Sequence, residues 1–175
     1  MRLVFGTMLF TLAAGLAAAP GPQAWVQAKA AWVRPNPCRC IQDLGAYGLG
    51  AGAWFTPRWG AELDFLGGPL RSRRTPAEAQ ERELAGSLLF GLNPDGIRWF
   101  PYLRAGLGGA RVGAPFSLAA GSTTRLARLG GLGVQGLFAG RFLASGEFRL
   151  VTLETRVERT EKQVLLGLGM RWGLR

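Results

Sequence analysis

The sequence predicts an all-β fold, an eight-stranded antiparallel up-and-down transmembrane β-barrel. Three observations carry this prediction. After residue 19, turn signals cut the chain at regular intervals, and short connections alternate strictly with long ones. The intervals are about 10 residues long, and along them apolar side chains alternate with polar or small ones at a period of two. Finally, no apolar run beyond the N-terminus approaches the roughly 18–20 residues that a membrane-spanning helix needs. Yet 48% of the residues are hydrophobic and only 18% charged, with a mean hydropathy of +0.13.

The first segment, residues 1–19, has the form of a secretory signal peptide. Arg2 supplies the positive end, Leu3 to Leu16 the apolar stretch, and Ala17-Ala18-Ala19 a small-residue cleavage site. Pro20 follows directly and disfavours cutting there, so cleavage a few residues later is the alternative. Residues 20–175 are then expected to form a single exported barrel domain. No cysteine follows the apolar stretch closely enough to accept a lipid anchor.

Turn chemistry sets the remaining boundaries. Thr56-Pro57-Arg58, Asn93-Pro94-Asp95-Gly96 and Ala139-Gly140 are tight connections. Pro35 to Leu44, Gly68 to Glu81, Gly113 to Gly121 and Glu154 to Thr160 are longer polar ones. Eight segments result: 23–34, 45–55, 59–67, 82–92, 99–112, 122–137, 141–153 and 161–172. The third sets Trp59, Ala61, Leu63 and Phe65 against Gly60, Glu62 and Asp64. The fifth sets Leu103, Ala105 and Leu107 against Tyr102, Arg104, Gly106 and Gly108. In the seventh, Phe142, Ala144, Phe148 and Leu150 oppose Ser145, Glu147 and Arg149. In the eighth, Val164, Leu166, Leu168, Met170 and Trp172 oppose Gln163, Leu165, Gly167, Gly169 and Arg171.

A soluble barrel would turn the apolar face inward, and a membrane barrel turns it outward. Three features favour the membrane arrangement. The polar face is rich in glycine, as a narrow eight-strand lumen requires. Its charges, Glu62, Asp64, Arg104, Glu147, Arg149 and Arg171, are of both signs and are expected to neutralise one another inside. Aromatic residues also sit near segment ends, at Trp32, Phe55, Trp59, Trp99, Phe100, Phe138, Phe142 and Trp172, as interfacial girdles do.

Pro101-Tyr102-Leu103-Arg104-Ala105-Gly106-Leu107-Gly108 resembles the P-Y-x-x-x-G-x-G stretch of the opacity-protein and OmpA-like outer-membrane barrels. Val164 to Trp172 resembles their final strand, whose terminal aromatic is recognised by the barrel-assembly machinery. Here that aromatic is Trp172, and Gly173-Leu174-Arg175 follow it. The resemblance spans nearly all of residues 20–175. It implies an integral outer-membrane protein acting as an anchor, adhesin or surface binder. Its expected partners are outer-membrane lipids and, during biogenesis, the assembly machinery. The peptidoglycan-gripping domain of OmpA-like proteins is not expected after the eighth segment.

The chain contains no histidine. This removes Ser-His-Asp and Cys-His nucleophiles and histidine metal sites, so neither an enzyme nor a cofactor is expected. Glu62 and Asp64 share a face and form an acid–base pair in principle. The simpler reading is ion pairing with lumenal arginines. The glycine runs Gly48-Leu49-Gly50-Ala51-Gly52 and Gly130-Gly131-Leu132-Gly133 lack the Lys-Ser or Lys-Thr of a phosphate loop. They are read as strand glycines packing a tight lumen. Cys38-Arg39-Cys40 lies in the first long loop. Three readings stay open for it: a strained local disulfide, links to another chain, or reactive thiols.

The net charge is +10, almost all from arginine, without the clustered, aromatic-interleaved pattern of a nucleic-acid surface. A monomer without nucleic-acid partners is therefore expected. Arg71, Arg73 and Arg74 in the second long loop, with Arg156 and Arg159 in the fourth and Arg111 and Arg125 beside the third, place positive charge at the outer rim. They are candidate contacts for lipopolysaccharide phosphates or an anionic partner. The competing functions are a soluble lipocalin-like carrier of an apolar ligand and a narrow channel for small apolar solutes.

Overall fold

The computed structural model describes residues 23–35, 42–71, 78–92, 99–113, 123–154 and 159–173. They form eight strands: β1 (Gln23–Arg34), β2 (Leu44–Trp54), β3 (Trp59–Arg71), β4 (Glu78–Gly91), β5 (Trp99–Val112), β6 (Thr123–Phe138), β7 (Phe142–Leu153) and β8 (Arg159–Gly173). Each strand pairs antiparallel with its neighbour in sequence, and β1 also pairs with β8, from Gln23↔Gly173 to Arg34↔Lys162. The sheet is a closed barrel, so no strand edge is left open. That closure satisfies the backbone donors and acceptors a bilayer would otherwise strand.

Two of the tight connections are described. Between β2 and β3, the Thr56 hydroxyl oxygen accepts from the backbone N–H groups of Arg58 (3.2 Å) and Trp59 (2.9 Å), folding the turn on itself. Between β6 and β7, Ala139 (φ 48°) and Gly140 (φ 75°) both adopt the left-handed conformation. Glycine does so freely, and alanine at some cost. The tight connection at Asn93 to Gly96 lies outside the described residues.

One stretch differs from the sequence reading. Gly68 to Glu81 reads as a loop, but β3 runs on to Arg71 and β4 begins at Glu78, with Pro69↔Gln80 and Arg71↔Glu78 in register. The ladder continues because it satisfies backbone groups there. It is hidden in the sequence because this extension carries Gly, Pro and charges in place of an apolar period. Arg71 therefore ends a strand, and Arg159 likewise opens β8.

The outer wall is apolar. Leu49, Leu63, Leu88, Leu103, Leu132, Leu166 and Leu168 all face outward and are exposed, the last two at 66%. Trp59, Trp99, Phe138, Phe142 and Trp172 ring the short-turn end, with Trp59 edge-on to Phe90 at 5.0 Å. Trp32 and Tyr47 stand exposed toward the loop end. Phe100 departs from the girdle expected of it: it alternates inward and packs against buried Trp54, with ring centroids 6.2 Å apart.

The lumen is layered, which the two-face reading did not anticipate. At the turn end Trp25, Trp54, Leu89, Tyr102 and Leu143 form a buried apolar cluster. Two more apolar clusters lie toward the loop end, one built around Val33, Leu44, Leu66 and Leu165, the other around Leu129, Val151 and Leu153. Buried polar and charged residues fill the space between.

The inside–outside assignment predicts a positional effect. Leu166→Arg should lower unfolding stability in bilayers by about 2–4 kcal/mol, whereas Thr160→Arg, near the loop end, should cost about 1 kcal/mol or less. Urea unfolding of protein in phospholipid vesicles measures both. Equal costs at the two positions would contradict a lipid-facing wall.

Candidate functional site

Six charged side chains meet in the middle of the lumen. Lys29 comes from β1, Glu62 and Asp64 from β3, Arg104 from β5, and Glu147 and Arg149 from β7. Period-two alternation turns each of them inward. All come from odd-numbered strands, and each has a glycine as a ladder neighbour. Lys29 pairs with Gly48 and Gly167, Asp64 with Gly50, Glu62 with Gly52, Arg104 and Arg149 with Gly131, and Glu147 with Gly133. Long side chains thus extend over positions that have none. Gly50 shows why: a Cβ there would lie 2.7 Å from Glu62 Oε1 and 2.8 Å from Asp64 Oδ1.

The cluster is balanced, with three cations and three anions. Lys29 Nζ bridges Glu62 Oε1 and Asp64 Oδ1, each at 2.5 Å. Arg104 reaches Asp64 Oδ2 at 2.6 Å and Glu147 Oε1 at 2.5 Å. Arg149 contacts Asp64 Oδ2 at 2.8 Å and also pairs with Glu147. Neutral groups add to the shell: Gln27 Nε2 donates to Glu62 Oε1 (2.7 Å), Arg104 donates to Ser87 Oγ (2.6 Å), and the Tyr102 hydroxyl donates to Glu147 Oε2 (3.1 Å). All six charged residues are buried, with Arg149 at 0% and Asp64 at 1% exposure. Charges removed from water this far are tolerated only when paired and hydrogen-bonded.

Five of the six predicted lumenal charges therefore converge. Arg171 does not join them: it sits half-buried near the turn end of β8, beside Trp25 in the ladder, and no ion pair ties it to the cluster. Alternation gives the face a residue occupies but not its height along a tilted strand. Lys29 is the charge of this cluster that the sequence reading missed, as it missed Glu83 and Glu161, buried nearer the loop end. The Lys29 signal was present in β1, where Trp25, Gln27 and Lys29 alternate with Val26, Ala28 and Ala30. The acid–base reading of Glu62 and Asp64 fails on access, because both carboxylates are already held by cations and sealed between apolar layers.

The outer rim is partly described. Arg71 is exposed at the end of β3, and Arg111 is exposed on β5. Arg125 is half-buried on β6. Arg73, Arg74, Arg156, Cys38 and Cys40 lie outside the described residues, as does the side chain of Arg159. The sequence reading missed a second set of cations, on the outer wall below the loops. Arg34, Arg82, Arg128 and Lys162 are exposed there with Arg71 and Arg111. Arg82 pairs directly with Arg111 in the β4–β5 ladder, and Arg34 with Lys162 in the β1–β8 ladder. The like charges of Arg34 and Lys162, directly opposite one another, repel. Arg128 is offset by an exposed ion pair to Glu154.

No protein-family model and no curated protein matches the chain. Solved structures do. The N-terminal β-barrel domain of Pseudomonas aeruginosa OprF aligns with a TM-score of 0.59 at 18% identity, covering 85% of this chain and 97% of that one. Neisserial surface protein A gives 0.63 at 15% identity, covering 89% and 100%. Ail of Yersinia pestis, in complex with the heparin analogue sucrose octasulfate, gives 0.56 at 14% identity, covering 87% and 100%.

The central cluster predicts a compensation effect. Arg149→Met should destabilise the folded barrel by about 3–5 kcal/mol, because it leaves an uncompensated buried negative charge. Adding Glu147→Gln restores the balance and should recover a substantial part of that loss. Denaturant unfolding in detergent, followed by gel mobility, tests this, and strictly additive losses would contradict a shared charge balance. With its closed eight-strand ladder, apolar outer wall and plugged lumen, the chain has the fold of the small eight-stranded outer-membrane β-barrels.

Proposed function

We propose that this chain is an integral outer-membrane protein with a structural and surface-interacting role, and that its basic rim holds phosphates of lipopolysaccharide. The observation that carries the reading is the exposed like-charged ladder contact of Arg34 with Lys162, directly above an apolar wall that also exposes Arg82 near the loops. A row of guanidinium and ammonium groups at that height costs repulsion in water. Phosphate oxygens at the bilayer surface relieve it, and arginine can grip them bidentately. Arg71, exposed at the end of β3, extends the same basic surface, and the sequence places Arg73, Arg74, Arg156 and Arg159 in or beside the loops expected above it. That the similarly folded Ail is seen with a sulfated heparin analogue fits an anion-binding rim on this scaffold.

The role is non-enzymatic in this reading, in keeping with a sequence that has no histidine. A channel for small apolar solutes is disfavoured, because the lumen is crossed by a buried ionic layer between apolar ones. The lipocalin-like alternative is disfavoured by the outward leucines, which would form a large apolar surface in water.

Barrels reconstituted in phosphatidylcholine vesicles should become harder to unfold thermally as lipid A is added. The combined variant Arg34→Gln, Arg82→Gln, Arg111→Gln, Lys162→Gln should lose most of that gain. The triple variant Arg71→Gln, Arg73→Gln, Arg74→Gln should bind lipid A more weakly. A gain and a binding curve that survive both sets of substitutions would overturn the proposal.

A further inference from the structure

Toward the loops from the central charged layer, one hydrogen bond ties opposite sides of the barrel together. Gln163 on β8 donates through Nε2 to Glu83 Oε2 on β4, at 3.0 Å. In the closed strand order β4 and β8 have three strands between them on either side, so this contact spans the lumen. Both residues are buried. Each carries a second oxygen, Glu83 Oε1 and Gln163 Oε1, and both of these are buried without a hydrogen bond. A cavity of about 20 Å³ lies beside them, room for a single water.

Two orphan acceptors are costly when buried, and one proton removes both. Glu83 Oε1 is bonded to the same carbon as Oε2, and Gln163 Oε1 to the same carbon as Nε2. An O–H on Glu83 Oε1 that donates to Gln163 Oε1 closes a ring of two hydrogen bonds, the pairing of a carboxylic acid with a primary amide. It also leaves the buried side chain without a charge to desolvate.

The charges around the pair are mixed. Arg149 of β7 and Asp64 of β3 act on Glu83 from the central layer, where each is already ion-paired. Glu81 on β4 and Glu161 on β8 share the inward faces of the two residues and have interactions of their own. Arg125 faces inward on β6, and Arg159 shares the inward face of β8, its side chain outside the described residues. In the ladder Glu83 stands between uncharged Leu66 and Ala110.

We propose that Glu83 is a carboxylic acid in the folded barrel, and that its proton completes a strut with Gln163 across the loop end of the lumen. The proton is taken from water on folding and returned to it on unfolding. Removing it from the folded barrel sets two acceptors against each other, opens the ring and admits water. The strut is then a pH-sensitive tie between the two strands that begin after the second and fourth long loops. An unfolded glutamate titrates at about 4.3. Above about pH 5 the unfolded chain therefore lacks a proton that the folded chain holds, and this proton makes stability fall as pH rises.

Infrared spectroscopy of the refolded barrel in heavy water at neutral pH reads the proton through the C=O stretch of an un-ionised carboxyl. Glu83→Gln supplies a second amide, which closes the same ring with Gln163 and needs no proton. We expect an acid band in the wild type that is lost in Glu83→Gln. In urea unfolding between about pH 5 and pH 7, the folded-to-unfolded ratio of the wild type should fall roughly tenfold per pH unit relative to Glu83→Gln. At pH 7 Glu83→Gln should be at least as stable as the wild type. Identical carboxyl bands in the two proteins would overturn the proposal. So would a Glu83→Gln protein that fails to fold or unfolds more easily at pH 7, since Glu83 would then be an anion held by Arg149, Arg159 or a water.

Discussion

Everything in this molecule depends on the pairing of β1 with β8. Once that ladder closes, the sheet has no free edge, the lumen has a fixed width, and every residue is committed to one of two surfaces. An eight-strand lumen has room only for its own side chains. What points inward must therefore fill space and satisfy its own charge. What points outward must suit whatever surrounds the barrel, and here the outward residues are mostly leucine, alanine and aromatic.

The interior solves this by dividing labour between strands. Odd-numbered strands supply the six long charged side chains of the central layer, and glycines on β2, β6 and β8 make space beside them. Apolar layers above and below exclude water and raise the cost of any unpaired charge. The same logic explains why three cations meet three anions there and why neutral groups such as Gln27, Ser87 and Tyr102 take up further hydrogen-bonding capacity. Toward the loops the rule changes. Alternation then separates signs, placing Arg82 and Lys162 outside and Glu81, Glu83 and Glu161 inside.

Much of this was legible from the residues. Period two and alternating turn lengths located all eight strands, and the boundaries at 23–34 and 99–112 coincide with β1 and β5. The lumenal positions of Glu62, Asp64, Arg104, Glu147 and Arg149 followed from face alone. Height did not follow, because it depends on strand tilt and register, and so Arg171 was grouped with charges it never meets. Lys29 was overlooked because β1 carries only one charge on its inward face. The end of β3 and the start of β4 were read as loop because Gly68-Pro69 and the polar run at 78–81 carry turn or solvent signals, while the ladder between them is a tertiary fact. The aromatic layer of Trp25, Trp54 and Phe100 was hidden for a related reason: an aromatic near a strand end looks the same in sequence whether it meets lipid or the lumen.

The most direct test of a closed, lipid-seated barrel is SDS gel mobility of fractionated cells expressing the chain, with each sample run boiled and unboiled. The account predicts a band in the outer-membrane fraction that migrates faster before boiling, since a closed hydrogen-bonded ladder resists SDS until heated. A band in the soluble periplasmic fraction with no heat shift would contradict it, and would place the leucine-rich wall in contact with something other than lipid.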